Sequence, residues 1–366
     1  MSARPVRVPL ATPVSFSTRR VTARDYLIVE VTAADGYEGQ GFAYIGTSGA
    51  EVVASYVENI LSPTLLALAC EAPKGVWPRL YHESLLLGRG GLGMRALAAV
   101  DIALWDLLAK RCDAPLHRVL GLADDDVAAY ASGGYYGKGG DPVEDVHDEF
   151  TVYAELGFQE YKIKVGGAAL DVDLARVAAA REVVGAQGEL ALDCNNAWRS
   201  AWDALAFARS VAEFDIRWIE EPLAPEDFAG HAELARRTDI PVATGELLTN
   251  RRDFRELIDR GGASVIQADA GVMGGITEWS IVAGLARAND LVLAPHWHAN
   301  LHSQLIAGAG SGEMVEYFSE RTDIFNFERL LTADSKLVVR DGRVVRSQLP
   351  GVGVVFDPGA LAEYAA

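Results

Sequence analysis

Two lysines stand two positions apart in the stretch YKIKVG, residues 161–166. Strand side chains alternate, so Lys162 and Lys164 share one face while Tyr161, Ile163 and Val165 take the other. Further along the chain, single polar residues close a series of short apolar runs. They are Asp193 in ELALDCN, Glu220 in IRWIEEP, Glu246 in IPVATGE, Asp269 in ASVIQADAG, His296 in LVLAPHWH and Glu316 in EMVEYF. Successive members of this set, counted from Lys164, lie 20 to 29 residues apart, about one strand-plus-helix unit each time. A lone carboxylate is most often a helix cap or an ion-pair partner. Seven polar residues in phase point to one shared mouth.

Asp193, Glu220 and Glu246 fall on consecutive runs. Packed together they repel and raise one another's pKa unless a cation sits among them. All-oxygen ligation favours Mg²⁺, with Mn²⁺ as the alternative ion. Asn195 shares a face with Asp193 and can bond a ligand or water, whereas Cys194 points to the core. Asp269 and His296 close adjacent runs, and a carboxylate beside an imidazole makes a general acid/base pair. His296 and His298 also have the spacing of the metal-binding pair in amidohydrolase-like barrels. That pair belongs on a first strand with further histidine ligands, and here it falls on a seventh without them.

From about Val127 the chain alternates eight strand-length runs with amphipathic segments such as DLARVAAAREVVGAQ and TEWSIVAGLARAND. This order predicts an eight-stranded βα barrel over residues 126–319, its last helix reduced or replaced, with the polar set at the carboxyl ends of the strands. Residues 1–125 read as a separate α+β domain. RDYLIVEVTAADGYEGQGFAY is a meander with DG and GQG turns, followed by long helices over 51–68 and 93–121, the second closing at a glycine. Residues 320–366 contain a hairpin too small to fold alone, which is expected to return to the first domain.

The chain has 366 residues, half of them hydrophobic, and a net charge of -18, which argues against a nucleic-acid partner. No apolar run approaches the ~20 residues of a membrane span, and the first residues lack the apolar core of a signal peptide. Three scattered cysteines, Cys70, Cys112 and Cys194, form no paired motif. Together these features predict a cytoplasmic protein.

The ordered set KIK (162–164), DCN (193–195), WIEEP (218–222), TGE (244–246), ADAGVMGG (268–275) and PH (295–296) resembles the enolase superfamily in its mandelate racemase subgroup. The resemblance runs over essentially the whole chain. It implies a modified (β/α)7β TIM barrel under an α+β capping domain, with Mg²⁺ on Asp193, Glu220 and Glu246 and Glu221 behind them. It implies Lys164 as one general base, with Lys162 beside it to lower its pKa, and His296 with Asp269 on the opposite side of the substrate. Glu316 matches the carboxylate that lies near the substrate's own carboxylate. Asp269 stands where the muconate cycloisomerase type carries a second catalytic lysine, which separates the chain from that subgroup. A small-molecule carboxylate substrate and a homo-oligomer, dimer or octamer, are further implications.

Within the subgroup, GGYYGKGG is similar to a stretch of acid-sugar dehydratases, and Tyr135 and Tyr136 offer hydroxyls there. Asn195, Asn196, Trp297, His298 and Asn300 make the expected mouth polar, and Arg19, Arg20 and Arg24 could meet a distal carboxylate or hydroxyls. The expected activity is therefore Mg-dependent dehydration of an aldonate or aldarate to a 2-keto-3-deoxy acid. Racemisation or epimerisation of an α-hydroxy acid is the alternative, and a catalytically silent metal-binding barrel the remaining one.

Overall fold

The computed structural model describes residues 1–68, 71–137, 139–308 and 310–366, so Cys70 lies outside the described residues. Three antiparallel strands come first: β1 (Ser2–Phe16), β2 (Arg19–Thr32) and β3 (Glu38–Gly46), in spatial order β1-β2-β3. Sequence reasoning placed no strand at β1, because Pro5, Pro9 and Pro13 mask its alternation. As an edge strand it tolerates them, and its register slips between Pro9 and Val14.

The DG turn is present at Asp35–Gly36, where Gly36 has φ 88. The GQG segment is not a turn; it lies inside β3. A Cβ on Gly39 would sit 2.1 Å from the carbonyl oxygen of Ala103, and one on Gly41 2.0 Å from that of Ala99. These glycines let the helix Gly91–Arg111 lie directly on the sheet. That helix stops at Arg111 instead of running to Gly121. Asp113 turns left-handed with φ 47, and Pro115 opens a second short helix, Leu116–Val119. A further helix, Pro73–Glu83, went unread in the sequence.

The barrel strands are β4 (Asp126–Gly133), β5 (Glu160–Lys164), β6 (Glu189–Asp193), β7 (Ile216–Glu220), β8 (Val242–Thr244), β9 (Val265–Ile266), β10 (Val292–Leu293) and β11 (Met314–Tyr317). A parallel ladder runs unbroken from β11 through β4 to β10. The β10–β11 seam has no ladder among the described residues; the Trp297 backbone N–H crosses it to Glu316 Oε2 at 2.8 Å. Between β10 and β11 the described residues hold only a four-residue helix, Ala299–His302, as suits a barrel with its last helix reduced. Inside the barrel, Tyr130 and Trp218 meet edge to face at 5.4 Å among Ala191, Ala243, Val265, Ala294 and Met314. Two large rings among small residues plug the interior below the mouth.

A hairpin of β12 (Val338–Arg340) and β13 (Arg343–Val345) adds antiparallel to the start of β4. The chain then reaches the first domain, where Ala365 bridges to Val6 and the Leu116 N–H donates to Gly351 O at 2.7 Å. No helix among the described residues is long and apolar enough to cross a membrane.

The capping domain is fixed to the barrel mainly by Gly91–Arg111 and the helix before it. Trp77 Nε1 donates to Gly274 O at 2.6 Å and Trp105 Nε1 to Thr277 Oγ1 at 3.0 Å. Buried Asp101 accepts from the Thr277 N–H at 2.9 Å and its hydroxyl at 2.7 Å. Gly275 is required beside it, since a Cβ there would lie 2.4 Å from Asp101 Oδ2.

Burial holds the Asp101 carboxyl up at about 7. A raised carboxyl pKa means the folded state binds this proton more tightly than the unfolded chain does. Its contribution to stability is therefore complete below about 4 and declines as pH rises through about 7. Asp101→Asn removes the titration. The variant is expected to gain about 1–3 kcal/mol on wild type between pH 5 and 8, read from denaturant melts at each pH. A stability difference that stays flat over that range would refute the assignment.

Candidate active site

The floor of the site is a charge network at the ends of β5, β6, β7 and β11. Lys162 is buried at 1% exposure, and its ammonium bonds Glu220, lies 2.8 Å from Glu316 Oε1 and 3.3 Å from Asp193 Oδ2. Below it is the Tyr130 ring, whose centroid is 5.2 Å from Nζ. Lys164 Nζ donates to Asp193 Oδ2 and lies 5.1 Å from the Tyr135 ring centroid and 5.9 Å from that of Phe16. Glu220 also accepts from Gln267 Nε2, and from Trp218 Nε1 at 3.2 Å.

Charge decides how these groups titrate. Burial disfavours the Lys164 ammonium, but Asp193, Tyr135 and Glu246 together outweigh it, so its pKa is raised. Lys162 does push Lys164 downward, in the expected direction, but the neighbouring carboxylates outweigh it. With these side chains alone both lysines stay cationic, which differs from the neutral Lys164 expected from the paired lysines. The two lysines together hold Asp193 low against its burial. Glu316 sits at about 2 because Lys162 lies beside it despite burial. Burial and repulsion from Glu221 lift Glu246 to about 8, and burial with Asp193 and Glu220 nearby lifts Glu221 to about 8.

Asp269 and His296 each stand three residues past the last paired residue of β9 and β10. His296 Nδ1 is 3.0 Å from Asp269 Oδ2, and the other Asp269 oxygen accepts from the Gly271 N–H at 2.7 Å. His296 Nε2 faces the cavity 3.6 Å from Glu246 Oε1. Burial lowers the imidazole pKa, but Glu246 and the Asp269 bond outweigh it and raise the value. His298 points elsewhere. It packs 4.9 Å from Phe42 and 4.7 Å from Phe327, and burial takes its pKa down to about 3. His296 and His298 therefore do not form a metal-binding pair. Asn300 also leaves the mouth, donating to Glu328 Oε1 at 3.2 Å.

A cavity of about 570 Å³ lies between this floor and the capping domain. Lys164, Asn195, Glu246, His296 and Trp297 line it from the barrel, and Phe16, Arg19, Arg24, Tyr44 and Arg95 from the cap. The β1–β2 tip is tied to the mouth: Ser17 Oγ donates to Asn195 O at 3.1 Å, and Ser15 and Tyr136 exchange backbone bonds at 2.8 Å. Tyr135 faces the cavity. The Tyr136 hydroxyl instead donates to Asp173 Oδ1 at 2.7 Å and accepts from the Gly167 N–H at 3.0 Å, outside it. Arg19 and Arg20 are exposed, Arg19 at the rim, whereas Arg24 is 2% exposed. Sequence reasoning missed Gln267, Tyr44 and Arg95. Arg95 and Tyr44 sit on regular elements of the first domain, where nothing in the pattern separates a wall residue from a surface one.

Asn195, Asn196, Glu221 and Trp297 all have positive φ, at 41°, 62°, 42° and 72°. Such backbones cost about 1–3 kcal/mol each and persist where the surroundings over-determine them. They turn the chain sharply off β6, β7 and β10 and aim polar groups inward.

Among the described residues, no three His, Cys, Asp or Glu side chains already stand at coordination spacing. Asp193 and Glu220 are drawn onto the ammonium groups instead. The donor set nonetheless fits a hard divalent cation. Glu246 Oε2, Glu221 Oε1 and Asn195 Oδ1 are buried with no hydrogen-bond partner, and the carboxylates beside them repel one another.

Comparison with known proteins agrees with this fold. Residues 145–360 match the family model of the enolase C-terminal domain-like fold, and residues 1–121 that of the mandelate racemase / muconate lactonizing enzyme N-terminal domain. The chain is 33% identical over 360 residues to the L-talarate/galactarate dehydratase of Salmonella typhimurium, covering 96% of this chain and 87% of that one. It is 31% identical over 349 residues to the arabinonate dehydratase of Saccharolobus solfataricus, covering 93% and 90%. A racemase from Streptomyces coelicolor, solved with bound magnesium, superposes with a TM-score of 0.91 at 32% identity, covering 100% of this chain and 98% of that one. The protein belongs to the mandelate racemase / muconate lactonizing enzyme family of the enolase superfamily.

Proposed function

We propose that the protein removes the proton α to the carboxylate of a sugar acid and expels the β-hydroxyl as water, leaving a 2-keto-3-deoxy acid. The observation that carries this reading is the opposition of Lys164, on β5, and His296, beyond β10, across one cavity with a carboxylate cluster between them. Relatives named as dehydratases of an aldarate and of an aldonate support the same class.

Asp193, Glu220 and Glu246 would hold Mg²⁺, with Mn²⁺ as a substitute. Bound there, the cation supplies Lewis-acid neutralisation of the charge that develops on the substrate carboxylate as the α-proton leaves. Lys164 acts as a base only once Asp193 no longer holds its proton, and Lys162 then favours the neutral amine. The His296 Nε2 proton serves the opposite side of the substrate. Asp269 keeps the ring oriented and basic through Nδ1. In elimination one of the two groups takes the α-proton and the other protonates the departing hydroxyl. The enol that forms then tautomerises to the ketone. Two opposed groups also suit racemisation, in which one removes the α-proton and the other returns a proton from the far side; the relative named as a racemase favours keeping this second reading.

Incubation of the Mg²⁺-loaded protein with a panel of sugar acids and α-hydroxy acids in D₂O separates the readings. Dehydration gives a keto acid detectable as its semicarbazone, and racemisation gives α-deuterium without it. Absence of both for every acid defeats the proposal and leaves the silent barrel. His296→Asn is expected to abolish dehydration while Lys164 still exchanges the α-proton of a substrate with the matching configuration. Full turnover in that variant would remove His296 from the mechanism.

Asp269→Asn tests the ring's support. It is expected to lower kcat at least 100-fold with melting behaviour close to wild type. A kcat within threefold of wild type would show that the Asp269 contact only packs the ring.

A further inference from the structure

The roof of the cavity carries two cations that the proposed chemistry does not use. Arg24, from β2, is 2% exposed, and its guanidinium is fixed on three sides. Nε donates to Ile324 O at 2.8 Å, Nη1 donates to Tyr44 Oη at 2.9 Å, and the group lies 4.4 Å from the Trp297 ring centroid. Its remaining nitrogen, Nη2, is buried and has no hydrogen-bond partner. Arg95, from the helix Gly91–Arg111, lines the same cavity and donates through Nη1 to the backbone oxygen of Tyr44. Neither guanidinium has a carboxylate ion-pair partner among the described residues.

A buried guanidinium without a counter-charge is costly, and an unmade bond on a fixed, buried donor adds to that cost. The polar network around Arg24 satisfies its other edges with neutral groups, so the anion its charge calls for must come from outside the chain. Place relative to the reacting groups limits what that anion is. Tyr135, whose ring centroid lies 5.1 Å from Lys164 Nζ, lines the same cavity as Arg24. An acid held by its reacting carboxylate at the floor of this cavity has Arg24 and Arg95 on the cap wall to receive its other end.

We propose that Arg24, assisted by Arg95, receives a second carboxylate at the far end of the substrate, which makes the protein selective for dicarboxylic sugar acids over monocarboxylic ones. Resting on the dehydratase reading, this assignment deepens it. Relatives named for an aldarate and for an aldonate leave that choice open. Planar guanidinium N–H groups suit a carboxylate, whereas the terminal hydroxymethyl of an aldonate brings no charge to the arginines. Trp297 and Tyr44, whose rings stack at 5.4 Å, hold the guanidinium in place before any ligand arrives.

The test is titration calorimetry of the Mg²⁺-loaded protein with six-carbon aldarates, each paired with the aldonate of identical configuration at the shared carbons. Wild type is expected to bind the preferred aldarate about 100-fold more tightly than its aldonate. Arg24→Gln is expected to bring the pair within about threefold, its loss falling on the aldarate. Wild-type affinities within threefold in every pair, or an aldonate bound more tightly, would overturn the assignment. So would equal weakening of both acids by Arg24→Gln, which is the signature of a merely structural arginine. If Arg24→Gln fails to fold, the wild-type ratio still decides, and Arg95→Met is expected to narrow it. These affinities are read without turnover. A selective protein that neither exchanges nor dehydrates its ligand would sink the dehydratase reading alone.

Discussion

Six carboxylates, Asp193, Glu220, Glu221, Glu246, Asp269 and Glu316, are buried around one barrel mouth against the cations Lys162 and Lys164 and the imidazole of His296. This imbalance in a poorly solvated space is the constraint that the rest of the site obeys. The carboxylates of Asp193, Glu316 and Asp269 stay ionised beside their cations and donors, whereas burial and repulsion from Asp193 push Glu220 up even though it touches Lys162. Those left with too few partners are pushed upward, Glu221 and Glu246 both to about 8. Mutual repulsion of this kind is relieved either by protons or by a metal ion. The same deficit of positive charge that destabilises the side chains by themselves gives a divalent cation its place.

The fold makes that imbalance sustainable. Polar groups lie at the ends of short strands, above a barrel interior filled by Tyr130 and Trp218. Lys162 rests on that aromatic plug and ties β5 to β6, β7 and β11 through three carboxylates. Glu316 does two things at once: one oxygen meets Lys162, and the other takes the Trp297 N–H across the seam where the ladder is missing. Trp297 has a left-handed backbone at that bond and carries its indole against Arg24.

Much of this was legible in the sequence because a barrel converts spacing into position. One polar residue per strand unit puts Lys164, Asp193, Glu220, Glu246, Asp269, His296 and Glu316 around one mouth whatever the loops do. The charge state of Lys164 was not legible, because it depends on which carboxylate each ammonium reaches. Nor was the GQG segment, where glycine serves the close approach of the helix packed on the sheet and only looks like a turn. Tyr135 and Tyr136 are neighbours in sequence, yet one faces the cavity and the other reaches Asp173. Alternation separates them, and it could not say which was which. Arg19, Arg20 and Arg24 were indistinguishable as three cations on one segment; burial alone singles out Arg24.

In the proposed function, reaction and recognition fall to different parts of the chain. Groups able to move a proton sit on strand ends packed into the barrel core, with side chains held by several partners each. Groups that face the remainder of a substrate come from β2, β3 and the helix Gly91–Arg111, which reach the cavity only because the cap is bonded to the barrel through Trp77, Asp101 and Trp105. Changing the roof alters what fits without disturbing the floor's charge balance. Moving the roof as a body would separate Arg24 from Trp297 and Ile324 and leave it only the Tyr44 hydroxyl. Stability of the joint and selectivity of the site thus depend on the same few contacts, and Arg24 belongs to both.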